Sequence, residues 1–417
     1  MKFSIPKKPI VIKNKDFQTI IVRVMFPINE EEEDLAKLSI FSNLVCYMSN
    51  TYPTEEEFQN TRKKKFILNV GCSKIMVGRS VFVCFSLVIP DIKTLGFDNL
   101  NEQFEFFSDA IYNPKVIDNG FDKFEVEREI RNLKMSIENG LKNLRFYHSV
   151  KAGELVDDET GIFSRTIENH RELIDELTPT NLYQFYKELL EKHKPTIVVF
   201  GNVDEERISE LADKYLYKNN GLDEFETSYN HFLKIRDKVQ VVEEKKDFKD
   251  SVVSFFYKIK DYSEDDFDKL SLVRGLLGSL SSRLLNKKLR DENDLVYSSA
   301  VSAYMRYGVF SISAFINKDN KDLVIEKLYE VMDELKDPDN IAEFLDNIKD
   351  RKRLNLIRSL DDKFALLNDA CYELLGVEKN MNDNYQDILK ISAEDISKFV
   401  DRFVLDTIYY IEEEEHE

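Results

Sequence analysis

The stretch that decides the fold reads LGSLSSRLL over residues 277–285 and KLRDENDLVYS over residues 288–298. Gly278 and the serines after it are typical of a helix-breaking turn, although they superficially resemble the GxSxG turn of serine hydrolases. The leucines that follow begin a new helix, and a strand is predicted over 309–316. Arg290 and Tyr297 therefore lie seven positions apart, where a helix leads into a strand.

The second half continues this pattern on both sides of the stretch. Its predicted strands are 252–259, 295–303 and 309–316, and its predicted helices begin at Ser263–Asp266, Lys321, Ile341 and Ala393. In the first half, a strand over 18–26 ends at Pro27, and a helix capped by Asn29 runs to about Met48. It continues with strands at 65–72, 81–89 and 197–200, a long helical stretch over 99–144, and helices begun by Thr178-Pro179 and by Asp204.

The two halves repeat one plan. KLSIF at 37–41 matches KLSLV at 269–273, an offset of 269 − 37 = 232, and Val81-Phe82 matches Val309-Phe310, an offset of 309 − 81 = 228. The order of elements predicts α+β domains, because strands and helices do not alternate strictly. We predict an N-terminal domain over 1–217, a linker over 218–237 and a C-terminal domain over 238–417, with a cleft between the halves.

Composition limits the possible partners. The 417 residues are 42% hydrophobic and 33% charged, which suits two globular cores. A net charge of −19 argues against nucleic-acid binding and against anionic membranes, and it is explained either by simple solubility or by attraction of basic peptides. No apolar run is long enough for a membrane span or a signal peptide. The four cysteines contain no CxxC pair, so we predict reduced thiols in a cytoplasmic protein.

Common catalytic and metal-binding motifs are missing from the sequence. It contains neither a phosphate loop nor a GxGxxG turn. The five histidines form neither HxxEH nor HxxxH, so we expect structural or surface roles for His148, His170, His193, His231 and His416. We interpret Asp157-Asp158-Glu159 as a solvated turn, with calcium binding as the alternative, and the glutamate-rich end at 412–417 as frayed.

Taken together, residues 277–298 and the strand after them resemble the signature of the C-terminal domain of M16 (pitrilysin-like) zinc peptidases. In that family a Gly-Ser turn, an SRL helix, an LR dipeptide and a tyrosine seven residues after the arginine recur together. Leu177-Thr178-Pro179 and IVVFGNVD at 197–204 resemble the close of the family's N-terminal domain. The resemblance covers essentially the whole chain, and is nearest to bacterial members of about this mass, 49.0 kDa, that occur as pairs of unlike subunits. It implies a clam of two homologous α+β domains.

The resemblance also assigns site residues. It implies that Arg290 and Tyr297 bind the substrate backbone and stabilise the tetrahedral intermediate, which a guanidinium fork and a phenol suit chemically. The alternatives are a surface salt bridge of Arg290 with Asp291 or Glu292, and a core position in a strand for Tyr297.

Active family members carry HxxEH on the first helix and a glutamate ligand on a later helix. The alignment places neutral residues at these positions: Ser39, Ser42, Asn43 and Ser136. Three acids near Ser136 are alternatives for the later ligand: Glu127, Glu129 and Glu138. Because the first helix contains no histidine, no shift of the alignment restores the zinc site.

The sequence therefore predicts the non-catalytic subunit of a heterodimeric zinc peptidase. An HxxEH-bearing homologue would supply zinc, its ligands and the general base, while this chain would hold no cofactor. This chain would supply Arg290, Tyr297 and half of a chamber for an unfolded peptide or leader peptide, bound as an added strand. The alternatives are a peptide-binding or structural scaffold without a role in hydrolysis, and a stand-alone enzyme, for which the sequence offers no constellation.

Overall fold

The computed structural model describes residues 2–29, 31–77, 80–157, 159–226, 231–278, 283–291, 293–374 and 380–414, which form two compact units. Unit 1 consists of the described residues of Met1–Ile137, Arg165–Ser228 and Asp362–Glu378. Unit 2 consists of those of Glu138–Ser164, Tyr229–Asp361 and Lys379–Glu417. The main transition falls inside the predicted linker. Each unit also takes up one segment from the other half of the sequence, which the predicted domains did not include.

The strands of unit 1 form one main sheet and two short pairs. In chain order they are β1 (Lys2–Ser4), β2 (Ile10–Lys13), β3 (Thr19–Ile28), β4 (Asn69–Val77), β5 (Ser80–Pro90), β6 (Val116–Ile117), β7 (Gly120–Phe121), β8 (Thr196–Gly201) and β9 (Glu224–Glu226). The main sheet has the order β2-β8-β3-β5-β4. Strand β2 is parallel to β8, and the other neighbours are antiparallel. The short pairs are β1 with β9 and β6 with β7.

The strands of unit 2 repeat this topology. They are β10 (Gln240–Lys246), β11 (Ser251–Ile259), β12 (Ser298–Tyr304), β13 (Val309–Ile316) and β14 (Phe403–Glu413). The sheet order is β10-β14-β11-β13-β12, again with one parallel pair, β10 with β14, at an edge. The remaining neighbours are antiparallel. Both predictions, an α+β fold and one plan used twice, are confirmed.

Helices pack against these sheets. In chain order they are α1 (Leu35–Ile40), α2 (Glu55–Lys64), α3 (Ile92–Leu95), α4 (Leu100–Tyr112), α5 (Lys123–Leu141), α6 (Leu144–Val156), α7 (Pro179–Lys192), α8 (Glu205–Tyr215), α9 (Phe267–Gly278), α10 (Arg283–Asn286), α11 (Lys321–Glu334), α12 (Pro338–Leu360), α13 (Lys363–Leu374), α14 (Met381–Lys390) and α15 (Ala393–Val400). Across the described ranges, none of these helices combines the length and the apolar character that crossing a bilayer requires.

The two halves of the chain align at one constant offset from β3 to α1 and from β11 to α9. Adding 232 to the starts of β3, of the 3-10 turn Glu32–Asp34 and of α1 gives the starts of β11, of the 3-10 turn Glu264–Asp266 and of α9. A side-chain ion pair recurs at the same offset. Lys37 pairs with Asp34 at 2.8 Å, and Lys269 pairs with Asp266 at 3.2 Å. Positions on α1 and α9 can therefore be compared one by one.

Of the predicted helix caps, Thr178 and Asp204 are confirmed, whereas Asn29 is not the cap of α1, whose N-cap residue is Asp34. Thr178 accepts a hydrogen bond from the backbone N–H of Asn181 at 3.1 Å, with Pro179 in the first turn. Asp204 accepts from the backbone N–H of Arg207 at 2.9 Å. Ser263 forms a capping box with Asp266.

Two predictions about the first strand and helix are wrong. The helix predicted from Asn29 to Met48 is much shorter, because α1 ends at Ile40, a 3-10 turn follows to Asn43, and Cys46 adopts a left-handed φ of 62°. Pro27 does not end β3, which continues to Ile28. Pairing of β3 with β8 stops at Met25, whereas pairing with β5 continues to Ile28. Pro27 has no N–H to donate, and it lies where β3 has no partner on the β8 side.

The long helix predicted over 99–144 is also wrong. It consists of α4 and α5, with the hairpin of β6 and β7 between them. Asp118 and Asn119 both have positive φ, 51° and 62°, as a two-residue hairpin turn of type I′ requires. The sequence Asp118-Asn119-Gly120 is typical of such a turn, but the helical patterns on both sides led to the prediction of one continuous helix.

A β-bulge in unit 2 places a carboxylate in the core. The register of β11 against β14 shifts between Phe256 and Tyr257, which leaves Asp406 as an extra residue between Leu405 and Thr407. The Asp406 side chain has no exposed surface. The bulge thus turns a charged side chain inward.

Asp406 is the centre of a buried ionic network. It accepts from Lys258 Nζ at 3.1 Å and from the backbone N–H of Arg236 at 3.1 Å, and it pairs with the Arg236 guanidinium. Arg236 also donates to the carbonyl oxygens of Leu155 at 2.7 Å and Val156 at 3.3 Å. The network therefore ties segment 138–164 to the sheet of unit 2.

Candidate functional site

Arg290 and Tyr297 lie on a short connection between α10 and β12. Residues Lys287–Asp291 form a π-helical turn, a rare conformation that often marks functional sites. Leu289, Leu295 and Val296 are buried in the core of unit 2 and anchor this connection. Because these apolar side chains point inward, Arg290 and Tyr297 project to the surface.

Backbone and side-chain contacts fix the connection. The Asp294 N–H donates to the Arg290 carbonyl at 2.9 Å, and the Tyr297 N–H donates to the Phe315 carbonyl of β13 at 2.9 Å. Lys288 pairs with Glu334 of α11 at 2.7 Å. Contacts with β13 and with α11 thus fix the position of the backbone that carries Arg290 and Tyr297.

The side chains themselves are available for a ligand. Tyr297 is 62% exposed, so the alternative of a core position is wrong. Arg290 is exposed, and its side chain makes no hydrogen bond or ion pair with any residue that the structure describes, Asp291 included. Glu292, the other predicted partner, lies outside the described residues. A free guanidinium and a phenol suit an oxyanion, to which both can donate.

The sequence missed a further cation beside Tyr297. Arg145 of α6 donates to the Ser298 hydroxyl, and its guanidinium stacks on the Phe315 ring with 3.8 Å to the centroid. Phe315 is the residue whose carbonyl holds the Tyr297 backbone. Arg145 lies 153 residues before Ser298, so no local pattern could have indicated this contact.

The degenerate zinc positions of the first helix do not fit a zinc ion. Ser39 lies in α1 and donates to the Leu35 carbonyl of its own helix at 2.7 Å, while Ser42 and Asn43 lie in the 3-10 turn that follows. None of the three offers an imidazole or a carboxylate. In the part of the chain that the structure describes, no group of three or more His, Cys, Asp or Glu side chains could hold a metal.

One carboxylate does face this region, and it is Glu129 of α5. Its Oε2 accepts from the Asn43 amide at 2.9 Å, and its Oε1 accepts from Arg128 Nε at 3.1 Å. Ser136, the aligned position of the later ligand, is exposed on the same helix. Both oxygens of the buried Glu129 carboxylate thus accept hydrogen bonds from protein donors, and the Arg128 guanidinium compensates its negative charge without a metal ion.

His148 has a structural role, as the sequence predicts. His148 is buried between Phe256 and Tyr409, and its Nε2 lies 2.7 Å from the Ser254 hydroxyl. Burial lowers the pKa of His148 to about 4, so the ring is neutral at physiological pH. His416 lies outside the described residues.

Asp157, the first residue of the acidic triplet, is buried rather than solvated as the sequence predicted. Asp157 accepts from the backbone N–H of Thr160 at 3.1 Å and of Phe163 at 3.0 Å, which occupies its carboxylate. Asp158 lies outside the described residues. Hydrogen bonds of this kind hold the pKa of Asp157 below its usual value despite its burial.

Three comparisons relate the chain to known proteins. A family model described as "Peptidase M16 inactive domain" matches residues 176–350. The "Probable inactive metalloprotease YmfF" of Bacillus subtilis (strain 168) is 20% identical over 418 residues, which cover 96% of this chain and 94% of that protein. A conserved protein from Enterococcus faecalis V583 has a TM-score of 0.86 at 19% identity, covering 98% of this chain and 96% of that one. A peptidase M16 inactive domain from Pseudomonas fluorescens has a TM-score of 0.72 at 13% identity, covering 100% and 98%.

Proposed function

Because this chain is a member of the M16 peptidase family that lacks the family's zinc motif, we propose that it is the non-catalytic subunit of a heterodimeric zinc peptidase. Its partner is an HxxEH-bearing homologue, which supplies the zinc ion, its ligands and the general base. This chain contributes Arg290 and Tyr297 and part of the wall of a peptide chamber. The proposed location of the pair is the cytoplasm.

The proposal rests on the exposure of the Arg290 and Tyr297 side chains. Both are exposed on an anchored connection, and neither is used for packing. An exposed guanidinium on this connection is accessible to a carbonyl oxygen that gains negative charge during hydrolysis, and it can donate hydrogen bonds to that oxygen. In the assembled enzyme, Arg290 and Tyr297 donate hydrogen bonds to that oxygen.

The proposed substrate is an unfolded peptide or leader peptide. Strand β12 begins directly after Tyr297 and pairs only with β13 among the described strands, so its other edge offers backbone groups to an added strand. The net charge of −19 favours peptides with basic residues. The alternative, a peptide-binding or structural scaffold, shares this edge and differs in that Arg290 and Tyr297 contribute nothing to turnover.

We expect the purified chain to contain no stoichiometric zinc and to cleave no peptide. The reason is that Ser39, Ser42 and Asn43 offer no ligand that binds zinc tightly, and Glu129 is engaged by Asn43 and Arg128. Elemental analysis of the chain, beside an HxxEH-bearing homologue purified identically, checks this. One tightly held zinc ion per chain would contradict it.

We also expect the chain to assemble with an HxxEH-bearing homologue, and neither protein to be fully active alone. A stable pairing should bury more than about 1,600 Å². Light scattering coupled to size exclusion, on each protein and on the mixture, measures the assembly, with an unrelated acidic protein of similar mass as the control. If the mixture elutes only as the two separate species at micromolar concentration, the proposed subunit role is wrong.

A further inference from the structure

The internal repeat gives the degenerate zinc site a counterpart in unit 2. At the offset of 232, Ser39, Ser42 and Asn43 correspond to Ser271, Arg274 and Gly275 of α9. The offset is reliable here because β3, the 3-10 turn and α1 all begin 232 residues before their counterparts. The face of α9 that corresponds to the zinc-binding face can therefore be identified residue by residue.

That face of α9 borders a cavity of about 460 Å³. The cavity lies between α9 and α12, with one side chain from β12, and its lining residues are Ser271, Arg274, Gly275, Gly278, Val301, Ile348, Arg351, Lys352 and Asn355. Three of them are cationic and none is acidic. In a chain with a net charge of −19, such a cluster is not explained by composition.

The two repeats differ in the sign of the charge that faces the helix. In unit 1, the residue on the later helix that contacts the α1 region is the carboxylate Glu129, which binds Asn43. In unit 2, the ammonium of Lys352 on α12 donates to the Ser271 hydroxyl of α9. The face of the first helix that holds zinc in active family members therefore corresponds, in unit 2, to a face of α9 that borders a cavity lined by cationic side chains.

The polar groups of the cavity have hydrogens left to donate. Ser39 uses its hydroxyl hydrogen on the carbonyl of Leu35, whereas Ser271 accepts from Lys352 and donates to none of the described residues. Arg274 is exposed, and its side chain makes no hydrogen bond or ion pair within the described ranges. Burial lowers the pKa of Lys352, and among its charged neighbours Asp268 raises this pKa more than Arg274 lowers it.

We propose that the cavity between α9 and α12 is an oxyanion-binding site that takes a carboxylate or a phosphate group. Lys352 and Arg274 supply the charged donors, and Ser271 supplies a neutral one, in the arrangement that charge-assisted recognition of an oxyanion uses. The side chains come from unit 2 alone, so the site requires no partner subunit. It is distinct from Arg290 and Tyr297, which lie on the connection after α10.

Titration calorimetry on the full chain tests the proposal with two probes. The first is inorganic phosphate, titrated against chloride at equal ionic strength. The second is a short peptide with a free C-terminal carboxylate, beside the same peptide as its C-terminal amide. The variants are Arg274→Gln and Lys352→Met, and the matched control is Arg353→Gln, an exposed arginine of the same helix that does not line the cavity.

We expect saturable binding of at least one probe to the unchanged chain and to Arg353→Gln, weakened about tenfold by Arg274→Gln and by Lys352→Met. Binding of the acid peptide but not of the amide identifies a carboxylate, and binding of phosphate alone identifies a phosphate group. Equal affinity in all four proteins, or no saturable binding of either probe, overturns the proposal. Arg274 is exposed, so its variant remains folded and informative even if Lys352→Met does not.

Discussion

We expect that replacing Arg290 by alanine lowers kcat of the proposed peptidase pair about a hundredfold, a loss on the order of 3 kcal/mol of transition-state stabilisation. The guanidinium is expected to donate to the oxygen that becomes negative in the tetrahedral intermediate. Its interaction is therefore stronger in the transition state than with the bound peptide, and KM changes little. Tyr297→Phe removes one neutral donor and costs less. Steady-state kinetics of the pair with each variant measure both effects.

Thermal unfolding separates a catalytic role from a structural one. Arg290 is exposed and unpaired among the described residues, so its loss should leave the melting temperature unchanged. Arg353→Ala, an exposed arginine on α12, is the matched control and should retain full activity. A higher KM with unchanged kcat would show that Arg290 only positions the peptide. Unchanged kinetics for both variants would reduce the chain to a scaffold, and a collapsed melting temperature would make these residues structural.

Replacing Asp406 by alanine is the change expected to destabilise the fold most, by about 3–5 kcal/mol. The carboxylate is fully buried and neutralises Lys258, whose side chain is 4% exposed, and Arg236, whose side chain is 18% exposed. Without Asp406, two cations remain in or near the core without their counter-ion. Arg236 also holds the carbonyl oxygens of Leu155 and Val156, so the loss extends to segment 138–164. The shift of the urea midpoint of unfolding measures the effect.

Glu412→Gln is the matched control for this variant. Glu412 pairs with Lys245 at 2.7 Å on the same sheet, but the Lys245 side chain is 68% exposed. Removing an exposed pair of this kind should cost less than about 1 kcal/mol. A shift for Asp406→Ala no larger than that of the control would mean that the buried network contributes nothing to stability.

Some features of the fold could be predicted because they depend on residues that are close together in the sequence. Thr178 and Asp204 were identified as caps because their oxygens can accept from backbone N–H groups that have no partner in a first helical turn. The match of residues 37–41 with 269–273 indicated the repeat, which the identical order of the two sheets confirms. Strand 309–316 was predicted with the bounds that the structure has.

Features that depend on distant contacts could not be predicted. The helix assigned up to Met48 ends at Ile40 and is followed by a 3-10 turn to Asn43, and the sequence gives no sign of the left-handed conformation of Cys46. The pairing of Asn43 with Glu129 joins residues 86 positions apart. The roles of Arg290 and Tyr297 came from a resemblance, since an arginine and a tyrosine seven residues apart identify nothing by themselves. Their exposure adds a physical argument that the sequence did not contain.

The exchange of segments 138–164 and 362–378 between the halves of the sequence affects how the chain responds to being cut. The backbone passes from one unit to the other after residues 137, 164, 228, 361 and 378. A protease that nicks the chain near residue 228 therefore produces two polypeptides, each of which still supplies part of both units. The nicked protein should stay together as a single particle until a unit unfolds. Neither fragment, made alone, carries the complete sequence of any globular unit.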